Sequence, residues 1–329
     1  MRYLTIICVC LLSLHSCFEE EQMVAPHEQG DMENGQAAMG VDYRYQVYYD
    51  LHDNIEASSN LVSEFDLSFE SSGGGWLIRL NTSMFMLAGN SGDTTFSAAL
   101  KAADLEMKFD KSDGNPDSTA IGEWYVATND SPWSHREVYL IDRGIDEKDK
   151  PQGFKKVQFD MTGENFLMRY ANNDNSGDTT VLISRDPAMD RVFYSFDNGM
   201  VDIAPFPDQW SLLFTKYTTM LVTDEGENYP YIVNGVLLNP NVVSVVMDTI
   251  HSFENITRDN IVGLGLTNQS DVIGYDWKYY NFDDGVYTIE PDHNYVIRDR
   301  DGFFYKLRFI DFYSDLGEKG YPTFEFVRL

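Results

Sequence analysis

Cysteine and basic residues are scarce in this chain. Only 3 of the 329 residues are cysteines, and all of them, Cys8, Cys10 and Cys17, stand at or before position 17. The rest of the chain therefore has no thiol for a disulfide bond, a thiolate metal site or a cysteine nucleophile. The chain has 24 Lys and Arg against 53 Asp and Glu, a formal net charge of −29. Such a surface repels a phosphate backbone, which argues against nucleic acid as a partner.

Catalytic signatures are also missing from the sequence. It contains no G-x-S-x-G elbow, no P-loop and no H-E-x-x-H motif. The 6 histidines are scattered, and the 53 acidic residues form pairs by chance, so no carboxylate dyad can be assigned. The Asp-rich stretches 110–118 and 172–180 lack the ligand spacing of an EF-hand, and we interpret them as turns. The sequence therefore predicts a binding protein rather than an enzyme, with no metal site of its own.

Near the start of the chain, residues 3–14 form an apolar run that is too short to span a bilayer and follows Arg2. We interpret residues 1–16 as a signal peptide. Leu14-His15-Ser16-Cys17 resembles the lipobox of bacterial lipoproteins, which implies cleavage before Cys17 and lipid attachment to it. Ordinary cleavage, with Cys17 incidental, is the alternative. The acidic stretch 18–21 resembles a signal for export to the outer face of the outer membrane.

The chain from residue 44 onward repeats itself, whereas residues 17–43 are polar and without period and are predicted to be a flexible tether. QVYYDLHDN at 46–54 matches RVFYSFDNG at 191–199, and FDLSFE at 65–70 matches WSLLFT at 210–215. Further matches follow in the same order, namely IGEW at 121–124 with IGYDW at 273–277, YLIDRG at 139–144 with YVIRDRDG at 295–302, and FKKVQF at 154–159 with FYKLRF at 304–309. We infer a tandem duplication with domains at 44–187 and 188–329.

The local patterns predict strands and frequent turns. Aromatic and β-branched residues alternate with polar ones in the repeated blocks, and clusters of Gly, Asn and Asp, such as 71–75 and 172–178, separate them. Helical spacing is confined to short pieces such as 97–105. We therefore predict an all-β fold of two tandem β-rich domains, in each of which sheet packs on sheet, with few short helices.

The C-terminal half contains three distinctive stretches, namely QWSLLFTKYTTMLV at 209–222, IGYDWKYY at 273–280 and the ending YVIRDRDGFFYKLRFIDFYSDLGEKGYPTFEFVRL at 295–329. The resemblance in these stretches is to the HmuY family of haem-binding surface lipoproteins. It covers about 190–329 and reaches the N-terminal half only through the internal repeat. The resemblance implies all-β domains that hold haem between two axial His or Met side chains and pass it to an outer-membrane transporter.

Candidate haem ligands lie around the apolar segment 229–246, which could wall a flat ligand. The resemblance places the first axial ligand near Met247 or His251. The second should follow the Trp277 strand, where KYYNF at 278–282 contains neither His nor Met. The remaining candidates are Met220 as a thioether ligand and Tyr279 or Tyr280 as a phenolate, and we expect Tyr279, Tyr280 and Trp277 to form part of the pocket wall. A methionine beside a Val-rich run is also a common core filler.

Two functions follow from these patterns. The first is a surface-exposed lipoprotein, anchored in the outer membrane, that binds haem or a related tetrapyrrole for iron acquisition and feeds a TonB-dependent transporter. The alternative is a surface glycan- or protein-binding β-sandwich lipoprotein without haem, which the 20 tyrosines and 5 tryptophans favour because aromatic rings stack on sugars. A purely structural partner of a larger outer-membrane complex is a third hypothesis, and the sequence has no feature for or against it.

Overall fold

The computed structural model describes residues 29–128, 132–223 and 225–329, and in these residues every regular element is a β-strand or a short 3₁₀ turn. The prediction of an all-β fold is thus confirmed. The 3₁₀ turns of the described residues are Thr82–Met84, Ala102–Asp104, Pro116–Ser118, Pro207–Gln209 and Phe253–Asn255. Among the described residues, no helix is long and apolar enough to cross a membrane. The predicted signal peptide and Cys17 lie outside the described residues.

Twenty-two strands form the described part of the chain. In the first half they are β1 (Met32–Gln36), β2 (Tyr45–Asp50), β3 (Ile55–Leu61), β4 (Leu67–Glu70), β5 (Ile78–Leu80), β6 (Leu87–Asn90), β7 (Tyr125–Val126), β8 (Trp133–Ser134), β9 (Val138–Asp142), β10 (Phe154–Thr162), β11 (Asn165–Asn172) and β12 (Thr179–Ile183). In the second half they are β13 (Arg191–Ser195), β14 (Gly199–Val201), β15 (Leu212–Val222), β16 (Asn228–Leu238), β17 (Val243–Asp248), β18 (Lys278–Asn281), β19 (Val286–Ile289), β20 (Asn294–Asp299), β21 (Phe304–Tyr313) and β22 (Lys319–Arg328).

The strands form four main antiparallel sheets around two hydrophobic cores. The first core contains Phe69 and Phe159 and lies between the sheets β12-β11-β10-β9-β6 and β14-β13-β4-β5. The second core contains Phe214 and Phe309 and lies between the sheets β1-β22-β21-β20-β17 and β16-β15-β2-β3. Two hairpins, β7–β8 and β18–β19, complete the described strands. Sheet thus packs on sheet in each half, because alternate residues of every strand bury one face.

Each half of the repeat contributes strands to the sheet of the other half. Leu212 of β15 pairs with Tyr49 of β2, and Leu67 of β4 pairs with Tyr194 of β13. These two pairs are equivalent in the repeat, because Tyr49 corresponds to Tyr194 and Leu67 corresponds to Leu212 at the same sequence offset. The strand pairing therefore crosses the boundary predicted between residues 187 and 188. The domains 44–187 and 188–329 stay a prediction, while the exchange of strands is the observed arrangement.

Part of the segment predicted as a tether belongs to the second core. β1 pairs along its whole length with β22, and the side chains of Ala37 and Met39 that follow it are fully buried. The tether prediction for residues 17–43 is wrong at these positions, because short apolar residues at 35, 37 and 39 alternate toward the core within a polar sequence. β1 also corresponds to β12, which occupies the same edge position in the sheet of the first core.

The repeated IGEW and IGYDW motifs anchor the two cores. Trp124 and Trp277 are both almost fully buried, with exposed fractions of 2% and 1%. The Trp277 ring stacks on Phe309 with ring centroids 3.9 Å apart, and Trp124 contacts Phe159 in the first core at 5.8 Å. Burying an aromatic side chain of this size stabilises a fold by about 1.5–3 kcal/mol, so each tryptophan contributes substantially to the stability of its core.

Candidate functional site

His251 lies in a turn at the end of β17, the edge strand of its sheet. Asp248, the last residue of β17, forms this turn by accepting hydrogen bonds from the backbone amides of Ile250 at 2.9 Å and His251 at 3.1 Å. The Asn294 side chain donates a further hydrogen bond to the His251 carbonyl at 3.0 Å. The backbone around His251 is therefore held on both sides.

The imidazole of His251 is oriented by the same aspartate. The distance from His251 Nδ1 to Asp248 Oδ2 is 2.8 Å, and the Asp248 side chain is almost entirely buried. Burial tends to raise the pKa of Asp248, but the hydrogen bonds from the His251 ring and the backbone amides outweigh it and lower that pKa. When the imidazole is neutral, Nδ1–H donates to the carboxylate and the lone pair remains on Nε2. The side chain of His251 is 35% exposed, so the imidazole is accessible to solvent.

Met247 precedes Asp248 on β17 and is half-buried against the second core. Successive side chains of a strand point to opposite faces, so Met247 and Asp248 lie on opposite faces of β17. Val246, on the face of Asp248, packs in a separate small cluster with Ile256 and Val296. The structure therefore places Met247 near His251 along the chain but on the other face of the strand from the carboxylate that holds the imidazole.

Met220 lies in a different sheet from Met247 and His251. It is on β15, opposite Pro230 of β16, and its exposed fraction is 47%. The alternation of the two strands places Met220 on the opposite face of this hairpin from Tyr229 and Tyr231. The structure does not bring the three predicted axial donors to one face of one sheet.

The residues predicted as a pocket wall separate into a buried and an exposed group. Trp277 is inside the second core, and Lys278 beside it is also buried, where its Nζ donates to the Asn234 carbonyl at 2.9 Å. Tyr279 and Tyr280 are 47% and 41% exposed on β18. The Tyr280 ring contacts Tyr287 of β19 with centroids 5.1 Å apart. Tyr279 and Tyr280 thus present aromatic surface to solvent, whereas Trp277 packs on Phe309 inside the second core.

Asp248 is the residue that sequence reasoning missed. Its signal was the spacing Asp-x-x-His at 248–251, which is common in turns and carries little information alone. In the described residues, no group of three or more His, Cys, Asp or Glu could hold a metal ion. Four cavities in the described part of the chain are lined by residues other than the predicted donors.

Comparisons with known proteins point to one family. The family model described as HmuY protein matches residues 42–326 in a single span that includes both halves of the repeat. A search of curated proteins finds no match.

Solved structures of HmuY-like proteins also match the chain at low identity. Apo PinO from Porphyromonas gingivitis is 10% identical, with 90% of this chain and 96% of that chain covered and a TM-score of 0.28. A HmuY-like haem-binding protein from Bacteroides vulgatus is 9% identical, with 90% of each chain covered and a TM-score of 0.24. The apo HmuY analog from Tannerella forsythia is 11% identical, with 92% and 98% covered and a TM-score of 0.25. The family model matches most of the chain, and on that basis the protein belongs to the HmuY family.

Proposed function

We propose that this protein binds haem or a related tetrapyrrole without catalysis, with His251 as the first axial ligand. The observation that carries the proposal is the hydrogen bond between His251 Nδ1 and the buried carboxylate of Asp248. A carboxylate at Nδ1 fixes the tautomer and the ring orientation and raises the basicity of Nε2, which is the arrangement found behind most metal-ligating histidines. Membership of the HmuY family supports the same ligand class.

The residues around His251 fit one of the two axial positions of a haem iron. Haem, when bound, supplies an iron that takes imidazole or thioether donors. His251 offers Nε2 from a turn that is already fixed by Asp248 and Asn294, so little side-chain entropy is lost on binding. Met247 is the next candidate by its position in the chain, although it lies on the opposite face of β17 from Asp248, and Met220 is the third because it lies on another sheet.

The proposal includes where the protein acts. The lipobox-like sequence ending at Cys17 supports a lipid anchor, and the acidic stretch after it supports exposure on the outer face of the outer membrane. A non-catalytic carrier in that position would deliver its ligand to a TonB-dependent receptor. Labelling with a fatty-acid probe, lost in Cys17→Ala, would test the anchor.

A titration with haemin, followed by the Soret band in the oxidised and reduced states, tests the binding. We expect His251→Ala to weaken binding at least tenfold and Met220→Ala to leave it unchanged. Met247→Ala should alter the reduced spectrum if the thioether occupies the second axial position. His135→Ala is the matched histidine control, since His135 lies beside β8 next to Trp133 in the other half. Saturable binding that is equally strong in His251→Ala would refute the assignment of the ligand.

Exposed aromatic side chains favour glycan binding as the second candidate function. Tyr229 and Tyr231 form an exposed pair with centroids 6.2 Å apart, and Tyr280 contacts Phe282, which is 88% exposed. Gel retardation by polysaccharides, weakened by Tyr229→Ala together with Tyr231→Ala, would support this function. A featureless haemin titration combined with such retardation would replace the first proposal.

A further inference from the structure

A cleft of about 180 Å³ lies where the sheets of the two halves meet. Its lining comes from both halves, including Tyr48 of β2, Arg79 of β5, Arg191 of β13 and Leu213 of β15. Of these, β2 and β13 are strands that one half contributes to the sheet of the other half, so the exchange of strands helps to form the cleft. It contains none of the proposed haem ligands.

Arg79 and Arg191 line this cleft from two different strands. In the described part of the chain, neither Arg79 nor Arg191 has a carboxylate oxygen at ion-pair distance, although other arginines do. Arg79 is only 9% exposed, one of its Nη atoms donates to the Gly114 carbonyl at 2.7 Å, and its Nε is buried without a partner. A buried guanidinium with an unused donor costs free energy unless a ligand or water satisfies it.

Both arginines line the cleft and lie in a desolvating environment. Burial, and after it the positive charge of Arg191, lower the pKa of Arg79 to about 10, while the carboxylates of Asp110, Asp113 and Glu70 oppose this shift. Burial also lowers the pKa of Arg191. An anion bound by the two arginines would fill the open donor of Arg79 and offset their positive charge.

The carboxylates that line the cleft are already engaged. Asp110 accepts hydrogen bonds from the backbone amides of Leu80 at 2.9 Å and Ala120 at 2.7 Å. Asp190 accepts from the side chains of Ser72 at 3.1 Å and Asn241 at 2.7 Å. With Lys111, the lining has three basic residues against these two acids, in a chain whose formal net charge is −29. The cleft is thus a locally positive region of a strongly negative protein.

Two pairs of aromatic side chains contribute to the lining of the cleft. Tyr48 and Trp210 line one part of it and contact each other edge to face at 5.1 Å, and Phe65 and Phe193 form a second such pair at 5.1 Å. An engineered apolar cavity of about 150 Å³ in another protein is enough to hold benzene. The cleft therefore has room for one ring and a small substituent, not for a macrocycle.

We propose that this cleft is a binding site for a small aromatic carboxylate. Arg79 and Arg191 hold the carboxylate group, since a guanidinium matches its geometry with two parallel hydrogen bonds. The two aromatic pairs enclose the ring. This site is separate from the one proposed around His251 and does not depend on it.

Calorimetric titration of the full chain in detergent with phenylacetate and with its neutral isostere phenylacetamide tests the proposal. We expect phenylacetate to bind at least tenfold more tightly than the amide, and to shift the fluorescence of the tryptophans because Trp210 lines the cleft. Equal affinities, or no heat with either compound, would overturn the proposal. This comparison uses the unaltered protein, so it does not depend on the folding of a variant.

Single substitutions test whether phenylacetate binds in this cleft. Arg191→Gln should weaken phenylacetate at least tenfold and Arg191→Lys should weaken it less, while Arg169→Gln, which removes an exposed arginine paired with Asp178, should have no effect. His251→Ala should bind phenylacetate normally. An equal loss in Arg169→Gln, or displacement of phenylacetate by stoichiometric haemin, would contradict a separate carboxylate site.

Discussion

Lys156 and Lys306 occupy the same place in the two halves of the molecule. Both are buried in the third position of the matching blocks FKKVQF and FYKLRF. Lys156 Nζ donates to the carbonyls of Phe96 and Ala98, each at 2.8 Å, and Lys306 Nζ donates to those of Phe253 at 2.9 Å and Ile256 at 3.1 Å. In each half a lysine thus crosses from a central strand to hold a loop, with the ammonium group over a phenylalanine ring.

Lys306→Met should lower the free energy of unfolding by about 1–3 kcal/mol, because two buried carbonyls lose their donor. Urea unfolding followed by circular dichroism measures the change. Lys156→Met is the matched variant of the other half and should cost a similar amount, whereas Lys101→Met, at an exposed position, should cost little. Unchanged stability in both buried variants would show that water replaces the ammonium group.

Removal of Arg143 should destabilise the first core strongly. Its guanidinium forms a buried ion pair with Asp66, from Nε to Oδ1 at 2.7 Å and from Nη2 to Oδ2 at 3.2 Å. Arg143→Met leaves the Asp66 charge uncompensated, which typically costs about 3–5 kcal/mol. In the double variant with Asp66→Asn, part of this loss should return. A double variant no more stable than Arg143→Met would contradict the charge explanation.

Lys278 should make stability rise with pH above neutrality. Burial lowers the pKa of Lys278 to about 7, whereas an unfolded lysine has a pKa of about 10.4. Between these values the unfolded chain binds more protons, so the free energy of unfolding increases with pH, by at most roughly 5 kcal/mol. Urea midpoints at pH 6, 8 and 10 should rise in the native chain and rise less in Lys278→Met. Parallel pH profiles for the two proteins would disprove this origin.

Asp248→Asn should weaken haem binding without removing it. The amide still accepts from Nδ1 of His251 but no longer carries the charge that raises the basicity of Nε2, and loss of such a partner typically costs 10–100-fold in metal affinity. The haemin titration measures this loss. Asp259→Asn, an exposed change in the loop that follows, is the control and should bind normally. Unchanged affinity in Asp248→Asn would mean that the carboxylate only shapes the turn.

The exchanged strands predict that the C-terminal half does not fold alone. A fragment of residues 188–329 lacks β1 to β3, so β15 and β22 lose their partners Tyr45–Asp50 and Met32–Gln36. We expect it to be unfolded or aggregated, since exposed strand edges are prone to aggregation. A fusion of residues 29–62 to residues 210–329 should restore a cooperative unfolding transition. Cooperative unfolding of 188–329 by itself would contradict the prediction.

Much of the fold could be predicted from local patterns. The period of two in blocks such as 46–51 and 304–309, with Gly and Asn between them, predicts strands and turns because these properties depend on neighbours in the chain. The repeat likewise appears in the order of its matches. The HmuY family is confirmed for the same reason, since the family pattern is a property of the sequence.

Local sequence patterns are sufficient to predict the strands, the order of the repeated blocks, the family and the negative charge of this protein. Which strands pair depends on the three-dimensional packing, because Tyr49 and Leu212 are far apart in the chain and the alternation of polar and apolar residues fits several partner strands equally well. The same packing also decided that Trp277 is core, that Asp248 orients His251, and that Arg79 and Arg191 share one cleft. Burial and the distance between charges depend on how sheets pack, and residues far apart in the sequence determine that packing.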